Sequence, residues 1–164
     1  MKPLTILIAE DDLLSRMVLE RSVVQWGYQM ISAVDGESAH ELIKSRRVDV
    51  CILDWDMPGM TGIEICRWLR ANVTDPSPYV VLITSRDRPQ EIQTGYEAGA
   101  DDYLTKPCDM KYLRRRIATI AEKIQRQEQW LQQANQENAP AQGPADFNPL
   151  DIYLSDLRLM RRKT

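Results

Sequence analysis

Val48-Asp49-Val50-Cys51-Ile52-Leu53-Asp54 is a short apolar run that closes on a carboxylate. A strand with one face in water alternates apolar and polar residues. A nearly unbroken apolar run instead predicts a strand buried on both faces, as in a parallel sheet covered by helices. Leu4–Ala9 before it and Tyr79–Ile83 after it share that character; Tyr28–Ala33 and the brief Asp102–Thr105 complete five predicted strands. Helical patterns fill the gaps. Leu13, Leu14, Met17, Val18 and Val24 recur at helical spacing, with Gly27 as a stop. Asp35-Gly36 opens a second helix, Ala39–Arg46, and Gly62–Ala71 and Pro89–Ala98 supply two more. Asp87 is the expected cap of the fourth helix, with Pro89 in its first turn, and Asp109 the expected cap of a fifth. Five β-then-α units predict a doubly wound α/β fold with a five-stranded parallel sheet, although periodicity does not give the strand order.

Length and composition agree with that reading. A chain of 164 residues suits one compact domain plus an appendage, and 43% hydrophobic with 27% charged residues is ordinary for a globular protein. The net charge of −3 is unevenly spread: residues 1–108 carry 11 Lys/Arg against 17 Asp/Glu, and residues 109–164 carry 10 against 7. An acidic body suggests a cation site, and the basic bias of the rest is too weak to argue for nucleic acid. Lys111, Arg114, Arg115 and Arg116 form a basic run that reads as a solvated helix face, with no helix-turn-helix, zinc-finger or stacking-aromatic pattern beside it. Cys51, Cys66 and Cys108 have no metal-ligand spacing, and Cys51 reads as a small buried hydrophobe. His40, the single histidine, lies on a polar helix face and is expected to be solvated; one histidine leaves no Ser-His-Asp site and no histidine-based zinc site. Glu10-Asp11-Asp12 cuts the first apolar run too short for a signal peptide, and no run approaches membrane-spanning length. The expected location is cytoplasmic, with reduced thiols.

In a sheet of this kind the ligand site lies beyond the carboxyl ends of the strands. The first strand runs into Glu10-Asp11-Asp12, the third into Asp54, the fourth into Thr84-Ser85 and the fifth into Lys106-Pro107. Crowded carboxylates repel, so a cation must join them or a pKa must rise. Oxygen ligands favour a hard ion, and a site that also holds a phosphoryl group points to Mg²⁺. An Asp facing that ion can act as a nucleophile towards phosphorus, while the Lys106 ammonium and Thr84 hydroxyl meet the transferred oxygens.

Four stretches carry a resemblance. Ile6-Leu7-Ile8-Ala9-Glu10-Asp11-Asp12, Leu53-Asp54-Trp55-Asp56-Met57-Pro58-Gly59-Met60-Thr61-Gly62, Leu82-Ile83-Thr84-Ser85-Arg86 and Ala98-Gly99-Ala100-Asp101-Asp102-Tyr103-Leu104-Thr105-Lys106-Pro107 follow one another at fixed intervals. In order and spacing the chain resembles the receiver domains of two-component response regulators, over roughly residues 3–122. The resemblance implies a flavodoxin-like (βα)5 sheet of order 2-1-3-4-5 and a set of roles. Asp54 would be the phosphoacceptor and a metal ligand; Asp11 would bind Mg²⁺ directly, Glu10 through water and Asp56 through its backbone carbonyl. Thr84 would close on the phosphoryl oxygens, Tyr103 would swing inward behind it, and Lys106 would pair with the phosphate. The bond from Lys106 to Pro107 would be cis. The donor would be a sensor histidine kinase or phosphotransfer protein, and the only chemistry would be the chain's own phosphorylation and dephosphorylation. Ser85 stands where Ala is common, and Asp56 and Arg86 occupy positions that tune phosphoryl lifetime in the family.

One enzyme family offers a rival reading. Asp54-Trp55-Asp56 after an apolar strand also resembles the Asp-x-Asp signature of haloacid-dehalogenase-type phosphohydrolases. There the signature strand comes first; here an acidic pair precedes Asp54, and Lys106 follows Asp101-Asp102. Beyond the fifth strand, Met110, Leu113, Ile117, Ile120, Ile124, Gln127, Leu131 and Ala134 form a heptad seam. A helix from Asp109 to about Asn138 is expected, its first half packed on the sheet and its second half free to pair two protomers as a coiled coil. Ala139-Pro140-Ala141-Gln142-Gly143-Pro144 reads as linker, and residues 146–164 hold an apolar stretch, Leu150–Leu159, and a basic finish. The expected organisation is a receiver over 1–122, a helical extension over 123–138, and a linker and tail over 139–164, either the start of an output region or the end of a short regulator that works through partners. A long fifth helix of this kind resembles receivers joined to diguanylate cyclase or other output domains.

Overall fold

The computed structural model of the chain is described for residues 3–73 and 76–136. In chain order it contains β1 (Thr5–Ala9), α1 (Leu13–Gln25), β2 (Gln29–Ala33), α2 (Gly36–Ser45), β3 (Val50–Leu53), α3 (Gly62–Asn72), β4 (Tyr79–Thr84), α4 (Pro89–Glu97), β5 (Asp102–Thr105) and α5 (Met110–Gln136). All five strands are parallel in one sheet of order β2-β1-β3-β4-β5. The chain divides into two units, Met1–Ala121 and Glu122–Thr164. The fold over the first unit is the flavodoxin-like arrangement expected from the sequence, with the winding direction reversing between β1 and β3.

Both pleats of the central strands are buried, which explains their unbroken apolar character. Leu7, Ala9, Cys51, Leu53, Val80 and Leu82 pack with Ala39 and Ile43 of α2 and with Ile63, Ile65, Cys66 and Leu69 of α3 in one core. The alternate positions Ile6, Ile8, Val50, Ile52, Val81 and Ile83 point to the opposite face and are buried as well. Burial pushes the Cys66 thiol up to about 12 and the Cys51 thiol higher still, so both behave as inert hydrophobes. Side-chain caps fix three helix starts. Asp12 accepts from Ser15 N–H (2.8 Å), Asp35 from Ser38 N–H (2.7 Å), and Asp109 from Lys111 and Tyr112 N–H (2.9 and 3.1 Å). Thr61 and Glu64 form a reciprocal capping box at α3.

The structure corrects several local expectations. The buried residues of α1 are Leu19 and Val23, whereas Leu13, Leu14, Met17, Val18 and Val24, whose spacing marked the helix, are all more than half exposed. The inner side of its first turns is polar instead, because Arg16 donates to the carbonyls of Glu10 (2.8 Å) and Asp11 (3.2 Å). The residue that opens α4 is Arg88, not Asp87, because Glu91 reaches back to accept from its backbone N–H (3.3 Å). Arg116 leaves the solvated basic run: it donates to Asp102 (2.7 Å) and to the Tyr79 hydroxyl (2.7 Å), tying α5 to the sheet. His40 is half-buried against Trp68, ring centroids 4.4 Å apart, rather than solvated. Leu113, Ile117, Ile120 and Ala121 are buried along α5, while Leu131 is exposed. The stretch from 137 to the expected helix end near Asn138, and the whole linker and tail, lie outside the described residues.

The reassigned face of α1 can be tested by chemical denaturation. Leu19→Ala should cost about 2–4 kcal/mol, as for a buried leucine whose cavity does not close. Leu14→Ser should stay within about 0.5 kcal/mol of wild type, as for an exposed position; equal losses at the two sites would return the inward face to the leucine pair.

Candidate functional site at the carboxyl ends of the strands

Backbone bonds that continue the sheet past the strand ends set the site. Glu10 N–H donates to the Ala33 carbonyl (3.2 Å), Asp54 N–H to Ala9 (2.9 Å), and Lys106 N–H to Thr84 (2.9 Å). Each therefore leaves its strand in register with its neighbour. The Lys106–Pro107 bond is cis. Gly62, at the start of α3, holds the loop that follows Asp54 close. A Cβ there would collide with the Asp54 carbonyl and sit 3.2 Å from Trp55 Cα.

Lys106 is the centre of charge. Its Nζ lies 2.7 Å from Asp54 Oδ2 and 2.8 Å from Glu10 Oε2, with both carboxylates buried. Burial opposes the charge on Lys106, but the bonds to Asp54 and Glu10 outweigh it and raise its pKa. Glu10 is also pushed up: desolvation comes first, partly offset by the bond from Lys106, with the nearby Asp54 charge adding to the rise. Asp12 N–H supports the other Glu10 oxygen (3.2 Å), and Asp56 N–H supports Asp54 Oδ1 (3.3 Å). Asp11 is exposed at the mouth of the site.

One oxygen each from Glu10, Asp11 and Asp54 lies within 4.8 Å of the others, close enough to share an ion. Three carboxylates against one ammonium leave two formal negative charges, and an all-oxygen donor set of that charge suits a hard divalent cation such as Mg²⁺. The carboxylate of Asp56 is committed elsewhere, bound by Arg86 through two 2.8 Å bonds that hold its pKa down.

Thr84 is fully buried, and its hydroxyl accepts from Arg86 N–H (3.3 Å). Tyr103 is 8% exposed; its hydroxyl donates to the Arg86 carbonyl (2.9 Å), and burial pushes its pKa up to about 12. Gly95 makes room for its ring, since a Cβ there would lie 2.7 Å from Tyr103 Cδ2. The structure thus brings Glu10, Asp11, Asp54 and Lys106 together, and sets Thr84, Asp56 and Tyr103 around Arg86. The sequence reading missed how far Arg86 reaches. Its partners, Asp56 and Glu91, lie 30 residues before it and five after it, and no local pattern links them.

Residues 6–118 match the family model described as response regulator receiver domain. The chain is 35% identical over 123 residues to the transcriptional regulatory protein AfsQ1 of Streptomyces coelicolor, covering 75% of this chain and 53% of that one. It is 42% identical over 118 residues to the response regulator MprA of Mycolicibacterium vanbaalenii, covering 72% and 50%. It therefore spans about half the length of these curated relatives. Among solved structures, a putative response regulator from Chloroflexus aurantiacus superposes with a TM-score of 0.69 at 31% identity, covering 74% of this chain and 99% of that one. The receiver domain of Francisella response regulator 1452 gives 0.65 at 28%, covering 75% and 99%. No helix among the described residues is long and apolar enough to cross a membrane. The chain belongs to the response-regulator receiver family of two-component systems.

Proposed function

We propose that Asp54 accepts a phosphoryl group from a phosphohistidine on a sensor histidine kinase or phosphotransfer protein. The carrying observation is that Lys106 binds Asp54 and Glu10 at once beside Asp11. An Asp54 oxygen forms the new bond to phosphorus while the P–N bond to the donor imidazole breaks, and the imidazole leaves with a proton. Lys106 then meets a phosphoryl oxygen with the ammonium it now gives to Asp54, and Thr84 supplies a hydroxyl to another. Tyr103, already buried with its hydroxyl on the Arg86 carbonyl, stays packed inward as Thr84 closes. Glu10, Asp11, Asp54 and the Asp56 backbone carbonyl would hold Mg²⁺, which when bound neutralises charge on the transferred group. The chain carries no activity towards other substrates.

A protein donor is supported by Leu13, Leu14, Met17 and Val18, an exposed apolar group on the helix that directly follows Glu10 and Asp11. Residues 1–122 act as the cytoplasmic receiver, 123–138 as a helical extension, and 139–164 as linker and tail. Output passes through a further domain or a partner, with no nucleic acid bound by this chain. The distal part of α5 pairs two protomers through Ile124 and Leu131. With Gln127 and Ala134 at the alternate seam positions, that association is marginal.

Incubation with Mg²⁺ and acetyl phosphate should add one phosphoryl group to Asp54 by intact mass; equal labelling of Asp54→Asn would sink the assignment. A phosphorylated histidine phosphotransfer protein should label wild type but lose rate with Leu14→Asp, Met17→Asp, while acetyl phosphate labels both alike.

Mg²⁺ should change Trp55 emission at millimolar metal, and Asp11→Asn should weaken the response at least tenfold. Lys106→Met should tighten it by roughly three- to tenfold, because the ammonium no longer repels the ion across a partly wet site. A weaker response in Lys106→Met would mean the two cations do not share these oxygens.

Sedimentation should show a concentration-dependent dimer in wild type and a monomer in Ile124→Glu, Leu131→Glu. A wild type that stays monomeric at high concentration, with and without phosphodonor, removes the dimer helix.

A further inference from the structure

Arg86 is the most connected side chain beside the site. Its Nε and Nη2 each lie 2.8 Å from one oxygen of Asp56, and its Nη1 lies 2.9 Å from Glu91 in the first turn of α4. The guanidinium carbon sits 5.0 Å from the centroid of the Trp55 ring, which meets Tyr103 edge-on at 6.4 Å. Its backbone takes part too, with the N–H on Thr84 and the carbonyl on the Tyr103 hydroxyl. One residue therefore joins the loop after Asp54, the end of β4, Tyr103 of β5 and the start of α4.

We propose that Arg86 is a positioning residue that ties the Trp55-Asp56 loop to the first turn of α4, so that a change at Asp54 is passed to that helix through the Arg86–Glu91 pair. This rests on Asp54 being the phosphoacceptor. The loop cannot ignore new charge there, because Asp56 N–H donates to Asp54 Oδ1. Oδ1 loses or redirects that bond when the carboxylate becomes an acyl phosphate, and Asp56 moves. A two-bond fork fixes the guanidinium plane relative to the carboxylate, so Arg86 moves with Asp56 instead of pivoting on a single contact. The third nitrogen then shifts against Glu91. Glu91 also accepts from Arg88 N–H, the backbone donor at the start of α4.

The magnitudes favour a coupling role over a structural one. The Arg86 side chain is 39% exposed in both pairs, with Asp56 55% and Glu91 23% exposed. Ion pairs this wet contribute at most about 1 kcal/mol to stability. A contact so cheap to rearrange does little to hold the fold, yet its geometry is specific enough to carry a displacement. Lys at this position keeps the charge but cannot bind Asp56 through two nitrogens and Glu91 through a third.

The test is hydrogen exchange of the backbone amides of residues 90–92 in the first turn of α4, with Trp55 emission recorded in parallel, on the full chain with Mg²⁺ and with or without acetyl phosphate. In wild type, phosphorylation should change exchange in that turn by roughly three- to tenfold. Glu91→Gln keeps an acceptor for Arg88 N–H and leaves labelling of Asp54 unchanged. Its Trp55 response should persist while its α4 response disappears. Arg86→Lys should likewise keep a Trp55 response and lose the α4 response. A role confined to holding α4 in place would shift the baseline exchange of the variants and leave the phosphorylation response intact, which would overturn the proposal. An unchanged α4 response in Arg86→Lys, or none in fully labelled wild type, does the same. Intact mass separates these results from a chain that takes up no phosphoryl group, which would remove the phosphoacceptor and this coupling together.

Discussion

Three carboxylates arrive at the same end of one sheet, and the fold around them depends on how their repulsion is met. Lys106 meets part of it by bridging Glu10 and Asp54, which come from the ends of two neighbouring strands. Without that ammonium two buried acids would face each other with no counter-charge, at a cost of about 3–5 kcal/mol. The bridge is incomplete by design of its chemistry. One positive charge cannot balance three acids, and Glu10, whose pKa is raised first by burial, is raised further by the nearby Asp54 charge. An all-oxygen cluster left with excess negative charge is of the kind that suits a hard divalent cation.

The rest of the molecule holds this constellation in place. Backbone bonds between strand ends fix Glu10, Asp54 and Lys106 in register. The two-sided core behind them is close-packed, so the carboxylates sit on a rigid platform. Small residues occur where something must approach closely: Gly62 lets α3 close on the loop after Asp54, and Gly95 lets α4 accept the Tyr103 ring. The helices differ in what they offer to solvent. On α1, apolar side chains stand exposed beside the acidic cluster, while the outer part of α5 presents Leu131.

Arg86 belongs to a different class of interaction. It stands at the edge of the rigid platform, in contact with water, and joins the loop after Asp54 to the first turn of α4. Buried charge holds the site together, whereas wet charge around it is free to change partners. This division fits a protein whose chemistry must alter a surface without unfolding the body beneath it.

By itself the sequence determined the five strands, the parallel doubly wound class and the acidic cluster with its lysine. Each of these is written in local patterns. Unbroken apolar runs require burial on both faces, and residues that end such runs must emerge at one edge of the sheet. The caps at Asp35 and Asp109 were legible for the same reason, because a cap acts within one helical turn. Tertiary structure alone decided which side of α1 faces inward. Hydrophobicity pointed to Leu13, Leu14, Met17 and Val18, but Arg16 is drawn to the carbonyls of Glu10 and Asp11 and turns the helix the other way. It also decided that Arg116 is a tie to Asp102 and not a solvated charge, and that His40 lies against Trp68. The reach of Arg86 to Asp56 and Glu91 was invisible for the same physical reason. Partners brought together from separate loops leave no periodicity in the chain, and only the folded geometry places one guanidinium between them.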